Sequence, residues 1–350
     1  MKKLMALVFV GSVSLVGVAK PITPKEFRGI FYPLPKSAPV PASNKITKAK
    51  VHLGKQLFHD PRLSVDGTVS CASCHNVMSS GGDNRANSVG VKGQKGGRGA
   101  PTVWNSAFHS VQFWDGRAKD LEEQAKGPIT NPIEMGMKDH DQAIARLKKI
   151  PGYVDAFKKV FGKNGLTIDN VAKAIATYER TLLTHNSTFD RWLKGDNKAI
   201  SESAKRGALL AKTVGCVTCH SGVNYNGPDL EMGEGFYQKF PLIEGSEYDD
   251  KYDLLSDLGR YEVTKEDFDK NKWRVPTWRN VALTAPYFHN GKVATLDEAV
   301  RVMAKTQLGK TLKENEVEDL VAFLKSLTGK LPKQEMPELP PTPSETFFRE

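Results

Sequence analysis

Cysteine is scarce in this sequence. Four of the 350 residues are Cys, and all four fall in two copies of one pattern, Cys71-Ala72-Ser73-Cys74-His75 and Cys216-Val217-Thr218-Cys219-His220. No thiol is left over for a disulfide framework. Long apolar runs are also lacking. After residue 19 no stretch reaches the roughly 20 apolar residues that a membrane-spanning helix needs. No basic run is interleaved with aromatics, so the formal charge of +10 describes a solvated surface rather than a nucleic-acid footprint. Period-two strand patterns are nearly absent, and the fold class expected is therefore all-α with long irregular loops.

What is present in place of these is chemistry at fixed spacing. C-x-x-C-H is the attachment signature of c-type haem. Two thiols add across the haem vinyl groups, and the adjacent His ligates the iron from one face. An all-cysteine zinc site would need neither His, and a thioredoxin-like motif would require a βαβ setting that the pattern does not offer. Two haem c groups are expected, carried by Cys71, Cys74, Cys216 and Cys219, with His75 and His220 as axial ligands.

Lys2 and Lys3 precede an apolar run from Leu4 to Val18, and Gly17-Val18-Ala19 supplies small residues at a cleavage site. Residues 1–19 thus read as a secretory signal peptide, which agrees with the attachment of haem c outside the cytoplasm, in the periplasm. Its loss lowers the formal charge to +8, and two haems bring about four propionate charges. Residues 20–46 form an extended lead-in. A haem domain is expected over 47–190, a second over 191–330, and a Pro-rich surface tail over 331–350.

The two halves repeat one layout. A first helix carries Val51, Leu53, Gly54, Leu57 and Phe58 at helical spacing, and its counterpart near Ser201 carries Gly207, Leu209 and Leu210. Each half closes with an amphipathic helix, over 167–184 and 312–327. The small Gly54 and Gly207 would let each closing helix cross closely. Between motif and closing helix run long loops, with seven glycines in Ser79–Pro101, and loops of this length are commonly functional.

A sixth iron ligand would make either haem a pure electron carrier, and Met suits a high potential. After His220 the candidates are Met232, Met303 and Met336, of which Met303 precedes the closing helix. For the first haem Met78, Met135 and Met137 compete with another use of the same stretch. Glu134 is a carboxylate able to move a proton between peroxide oxygens on an open haem. Spacing alone leaves these open.

The chain resembles the bacterial dihaem cytochrome c peroxidases. The resemblance rests on Leu53-Gly54-Lys55-Gln56-Leu57-Phe58, Asp60-Pro61-Arg62-Leu63-Ser64, both haem motifs, Pro101-Thr102-Val103-Trp104-Asn105, Phe113-Trp114-Asp115-Gly116-Arg117, Glu134-Met135 and Ala285-Pro286-Tyr287-Phe288-His289-Asn290-Gly291. It implies two cytochrome c-like domains and reduction of hydrogen peroxide to water. The electrons come from a small periplasmic cytochrome or copper protein, and a homodimer is usual. It makes the N-terminal haem peroxidatic, with His75 proximal, Glu134 the acid–base residue and Gln124 its polar neighbour. His220 and Met303 would hold the electron-entry haem, with Trp114 between the two and His289 near the second haem's propionates. A calcium ion is implied at Thr284 and Pro286, although Gly99 stands where the family places an Asn side chain. Two rivals remain. Tryptophan-oxidising dihaem proteins carry Tyr where Met303 stands, and a plain electron carrier would use Met135 or Met137. In many members a His of the glycine-rich loop caps the oxidised peroxidatic iron until the other haem is reduced. Here Val91 occupies that position, and no His lies between His75 and His109.

Overall fold

A computed structural model describes residues 21–343. The expected signal peptide, 1–19, and the end of the tail, 344–350, lie outside the described residues.

The first half is built on helix α1 (Lys48–His59), α2 (Leu121–Thr130) and α3 (Ile168–Glu179); the second on α4 (Glu202–Val214), α5 (Leu296–Leu308) and α6 (Glu314–Ser326). Side-chain caps set several starts. The hydroxyls of Thr47, Thr167, Ser201 and Thr295 accept the backbone N–H of Lys50, Asn170, Ala204 and Glu298, each such cap contributing about 1 kcal/mol. The helix expected over 167–184 stops at Glu179. The Thr181 hydroxyl takes the Tyr178 carbonyl, and Thr184 is tied to Asn105, which draws the chain out of helical geometry.

The crossing of first and closing helices occurs twice with one geometry. A Cβ at Gly54 would overlap the Ala174 carbonyl, and one at Gly207 would overlap the Asp319 carbonyl. Tyr178 and Phe323 lie one turn further along each closing helix, against the same glycines. Residue 174 therefore corresponds to 319 and 178 to 323. Around the first crossing Leu53, Leu57, Phe58, Val171 and Ile175 are buried; around the second, Ala204, Ala208, Leu320, Phe323 and Leu324. Each large apolar side chain sealed in this way stabilises by roughly 1.5–3 kcal/mol.

The repeat extends into the loops. Asn105 and Asn280 both take left-handed backbone, φ 62° and 61°, after Pro101-Thr102 and Pro276-Thr277. Phe113 and Phe288 do the same, φ 67° and 68°, in the turns Phe113–Arg117 and Phe288–Lys292. Trp114 and His289 are consequently equivalent positions. The stretches expected to be irregular contain one short antiparallel pair, β1 (Tyr237–Lys239) with β2 (Lys272–Arg274), Tyr237 opposite Arg274. Three residues a side give no alternation long enough to recognise in sequence.

The termini cross over. Phe27 and Phe31 of the lead-in are buried in the second core, against Phe189, Trp192 and Phe323. The tail returns to the first half, where Gln56 and Arg62 donate to the carbonyls of Glu338 and Pro340. Phe189 and Trp192, on a short helix Thr188–Leu193, also pack with the second core. Arg98 bridges the halves by pairing with Asp115 and Asp257 at 2.6 and 2.7 Å.

Candidate functional site: two cavities sharing a tryptophan wall

Two cavities open between the loops, one per half; with the solvent-open space at their mouths included, one spans about 1980 Å³ and the other about 1320 Å³, and they are called the larger and the smaller in that sense. The larger is walled by Cys216, Cys219, His220 and Met303, with aliphatic Leu296, Val300, Leu308, Leu320 and Leu324. The smaller is walled by Cys74, His75, Gln124, Glu134, Arg117 and Glu179. Trp114 lines both, its indole N–H donating to the Gly99 carbonyl at 2.9 Å. The turn Phe113–Arg117, with its left-handed Phe113, is what aims Trp114 into the partition.

Each histidine is prepared as a ligand. His75 Nδ1 lies 3.1 Å from the Pro101 carbonyl and 3.3 Å from that of Gly81. Since a carbonyl only accepts, the proton sits on Nδ1 and Nε2 is left bare. His220 Nδ1 does the same toward the Tyr225 carbonyl at 3.2 Å. Burial lowers the His220 pKa to about 4, against the opposing pull of the Tyr225 and Pro276 carbonyls. Burial likewise lowers that of His75, opposed by Gly81 and Pro101. Both rings are therefore neutral, as ligation requires. Trp278 stacks on His220 with centroids 4.2 Å apart and so fixes the ring plane.

The surroundings suit a large apolar disc with a polar edge. Trp273 Nε1 and His289 Nε2, on rings stacked 4.0 Å apart, are buried without partners at the larger cavity. Ser88 Oγ, Ser106 Oγ and Glu179 Oε2 are the corresponding orphans at the smaller. Buried polar groups are normally hydrogen-bonded, and haem propionates are oxygen acceptors of the kind such N–H donors need. No group of three His, Cys, Asp or Glu side chains that could hold a metal ion occurs among the described residues, so the motifs do not pair into a zinc site. The residues present fit haem c.

The open Met candidates separate by position. Met135 and Met137 are buried in the first hydrophobic core, and Met78, Met232 and Met336 are exposed. Glu134 lines the smaller cavity and Met303 the larger. Glu134 sits on the tight turn after α2, where Asn131 Nδ2 donates to its Oε1 at 2.9 Å. Burial raises its pKa, opposed by the Arg117 guanidinium and the Asn131 amide. Gln124 projects from α2 into the same space. Thr284, Pro286 and Gly99, the implied calcium positions, all line the larger cavity. The Gly99 carbonyl already accepts from Trp114, and no carboxylate joins the set among the described residues. That donor set is poor for a hard cation.

Three features escaped the sequence. Pro101 and Pro276 hold equivalent roles behind the two histidines, which an alignment of the halves on Pro-Thr-x-x-Asn would have found. His109 lies in the partition, Nδ1 receiving hydrogen bonds from Arg274 at 2.8 Å, Asn226 at 3.0 Å and Asn224 at 3.3 Å. Glu179 is a buried acid that its amphipathic helix did not advertise.

A family model described as di-haem cytochrome c peroxidase matches residues 48–198. The cytochrome c551 peroxidase of Nitrosomonas europaea is 46% identical over 308 residues, covering 88% of each chain. That of Pseudomonas aeruginosa is 46% identical over 314 residues, 89% of this chain and 88% of its own. Among solved structures, a MauG-like protein associated with microbial copper homeostasis superposes with a TM-score of 0.73 at 29% identity, covering 85% of this chain and 95% of its own. Identity at this level, sustained across both haem motifs and nearly the whole of each peroxidase, goes beyond a shared architecture: the chain belongs to the di-haem cytochrome c peroxidase family.

Proposed function

We propose that the chain works in the periplasm as an asymmetric pair of haem sites: peroxide is reduced at the N-terminal cavity, and electrons enter at the C-terminal one. The observation that carries this is the difference between the cavities. One holds His75 with a carboxylate and an amide, Glu134 and Gln124, and no Met on its wall; the other holds His220 with Met303 in an aliphatic shell. When bound, haem supplies the iron that takes peroxide in one cavity and cycles by one electron in the other.

The protein's own groups do the rest. His75 and His220 orient their rings through Nδ1–H. Glu134 would accept a proton from one peroxide oxygen and return it to the other as the O–O bond breaks. Gln124 orients the peroxide by hydrogen bonding, and Arg117 opposes full neutralisation of Glu134. Trp114 fills the partition and shortens the electron path. Calcium is given no part in any step. The donor is a small reduced cytochrome or copper protein, and the functional unit is a homodimer. Steady-state peroxide turnover with a panel of reduced small cytochromes and copper proteins tests this. Turnover by at least one donor is expected, and its absence across the panel in fully haem-loaded protein would overturn it.

Met303→His offers a sharper check on direction. Exchanging thioether for imidazole favours ferric iron, so a redox titration should show the C-terminal haem at a lower potential. A high-potential donor should then fail to reduce it. An unchanged titration curve would remove Met303 from the ligand set.

A further inference from the structure

Peroxide reduction consumes two protons and two electrons and makes two waters. Glu134 relays a proton already carried by the substrate, so it provides neither of these two. They must reach a cavity walled by protein, and of the carboxyls on its wall Glu134 is engaged by Asn131 and Asp257 by Arg98, while the remaining one is not so held. Glu179, on the last turn of α3, is 5% exposed, lines the smaller cavity, and has Oε2 without a partner.

The internal repeat shows that the fold does not ask for an acid at this position. Since Tyr178 corresponds to Phe323 across the two Gly crossings, Glu179 corresponds to Leu324, which is buried and lines the other cavity. The electron-entry half fills the position with an aliphatic group. The peroxidatic half places a carboxyl there, at the cost of burying a polar atom without a partner. A neighbouring acid is satisfied in full: Glu122 is held by Arg180 at 2.7 Å and by Asn44 at 2.7 Å. Glu179 has no such clamp.

We propose that Glu179 is the resident proton donor of the peroxidatic cavity. This rests on the peroxidatic assignment of that cavity. As an electron arrives, the O–H bond of the Glu179 carboxylic acid breaks and its proton forms an O–H bond of product water. The carboxylate left behind then regains a proton from solvent water. The groups around it are Arg180 and Tyr178 on its own helix, Glu122 on α2, Cys71 of the haem motif, and Glu134 across the cavity. Burial, reinforced by Glu122 and opposed by Arg180, raises its pKa to about 8, so the acid is loaded at neutral pH and unloads as pH rises through that value.

Glu179→Leu reproduces what the other half already tolerates, and Glu179→Gln keeps the shape. Both should load two haems, and the Leu variant should melt no lower than wild type. Turnover should nevertheless fall on the order of 10²-fold, the scale of a lost proton-transfer group. The wild-type decline in rate above pH about 8 should vanish in both. Wild-type rates with an unchanged alkaline limb would overturn the proposal. Should either variant fail to load haem, infrared spectra of the wild-type holoprotein decide the matter. The carbonyl stretch of a buried protonated acid should be present at neutral pH, fade on titration through about 8, and persist in Glu134→Gln. Its absence would overturn the proposal. If wild-type protein reduces no peroxide, the peroxidatic assignment fails, while the infrared band still reports on Glu179.

Discussion

Glu134→Gln should lower peroxide turnover by about 10²–10⁴-fold while both haems stay attached, equivalent to roughly 3–5 kcal/mol of lost transition-state stabilisation. The amide keeps the size of the side chain and can still meet Asn131, so the turn Asn131–Gly136 is retained. It cannot take a proton from peroxide. The pH profile carries a second signature. Burial raises the Glu134 pKa, and the base form is the working form. Wild-type activity should therefore be lost, as pH falls, at a pH above the ordinary carboxylate range, and that acid limb should be missing from whatever activity the variant retains. Wild-type kcat in a variant with normal haem content would remove Glu134 from its role.

The oxidised protein should turn over peroxide with little or no prior reduction. The glycine-rich loop has no imidazole to place on the iron, and its conformation points the same way. Val91 is 2% exposed, its N–H donates to the Glu134 carbonyl at 2.9 Å, and its side chain packs beside Gly136. A Cβ at Gly90 would overlap the Ile133 carbonyl, so the loop is seated directly on the turn that presents Glu134. Val91 is not on the cavity wall, whereas Ser88 and Gly90 are. His109 also reaches that wall, but its Nδ1 accepts from Arg274, Asn224 and Asn226, which leaves the proton on Nε2 and no lone pair for iron. His140 is turned to the Lys126 carbonyl. An EPR spectrum of the oxidised protein, recorded beside an assay without reductant, checks this. Two low-spin signals, one of bis-histidine type, together with a strict need for pre-reduction would show that another imidazole caps the iron.

Much of the molecule was legible because its chemistry is local. C-x-x-C-H brings two thiols and an imidazole to one turn of chain, so no tertiary information is needed to see what they bind. The paired glycines were legible for a similar reason, since an apolar helical face interrupted by Gly implies a neighbour pressed against it, and Gly54 and Gly207 are so used. Met303 and Glu134 needed more. Each stood among other candidates in the sequence, and what separates them is burial: Met135 and Met137 are drawn into the first core, leaving Glu134 on the cavity wall. The lead-in looked featureless because two aromatics, Phe27 and Phe31, carry its attachment to a core formed more than 150 residues later.

By itself, then, the sequence determined the two haem motifs, the two-fold repetition and the helical class, all of which follow from spacing within a few turns of chain. Only the tertiary structure decided which wall each reactive side chain belongs to. Trp114 serves two cavities, the carbonyls of Pro101 and Pro276 face the two motif histidines, and Glu179 is left without a partner where its counterpart is Leu324. The reason is physical. Whether a polar atom is solvated, paired or orphaned depends on elements that pack against it from distant parts of the chain, and no periodicity records that.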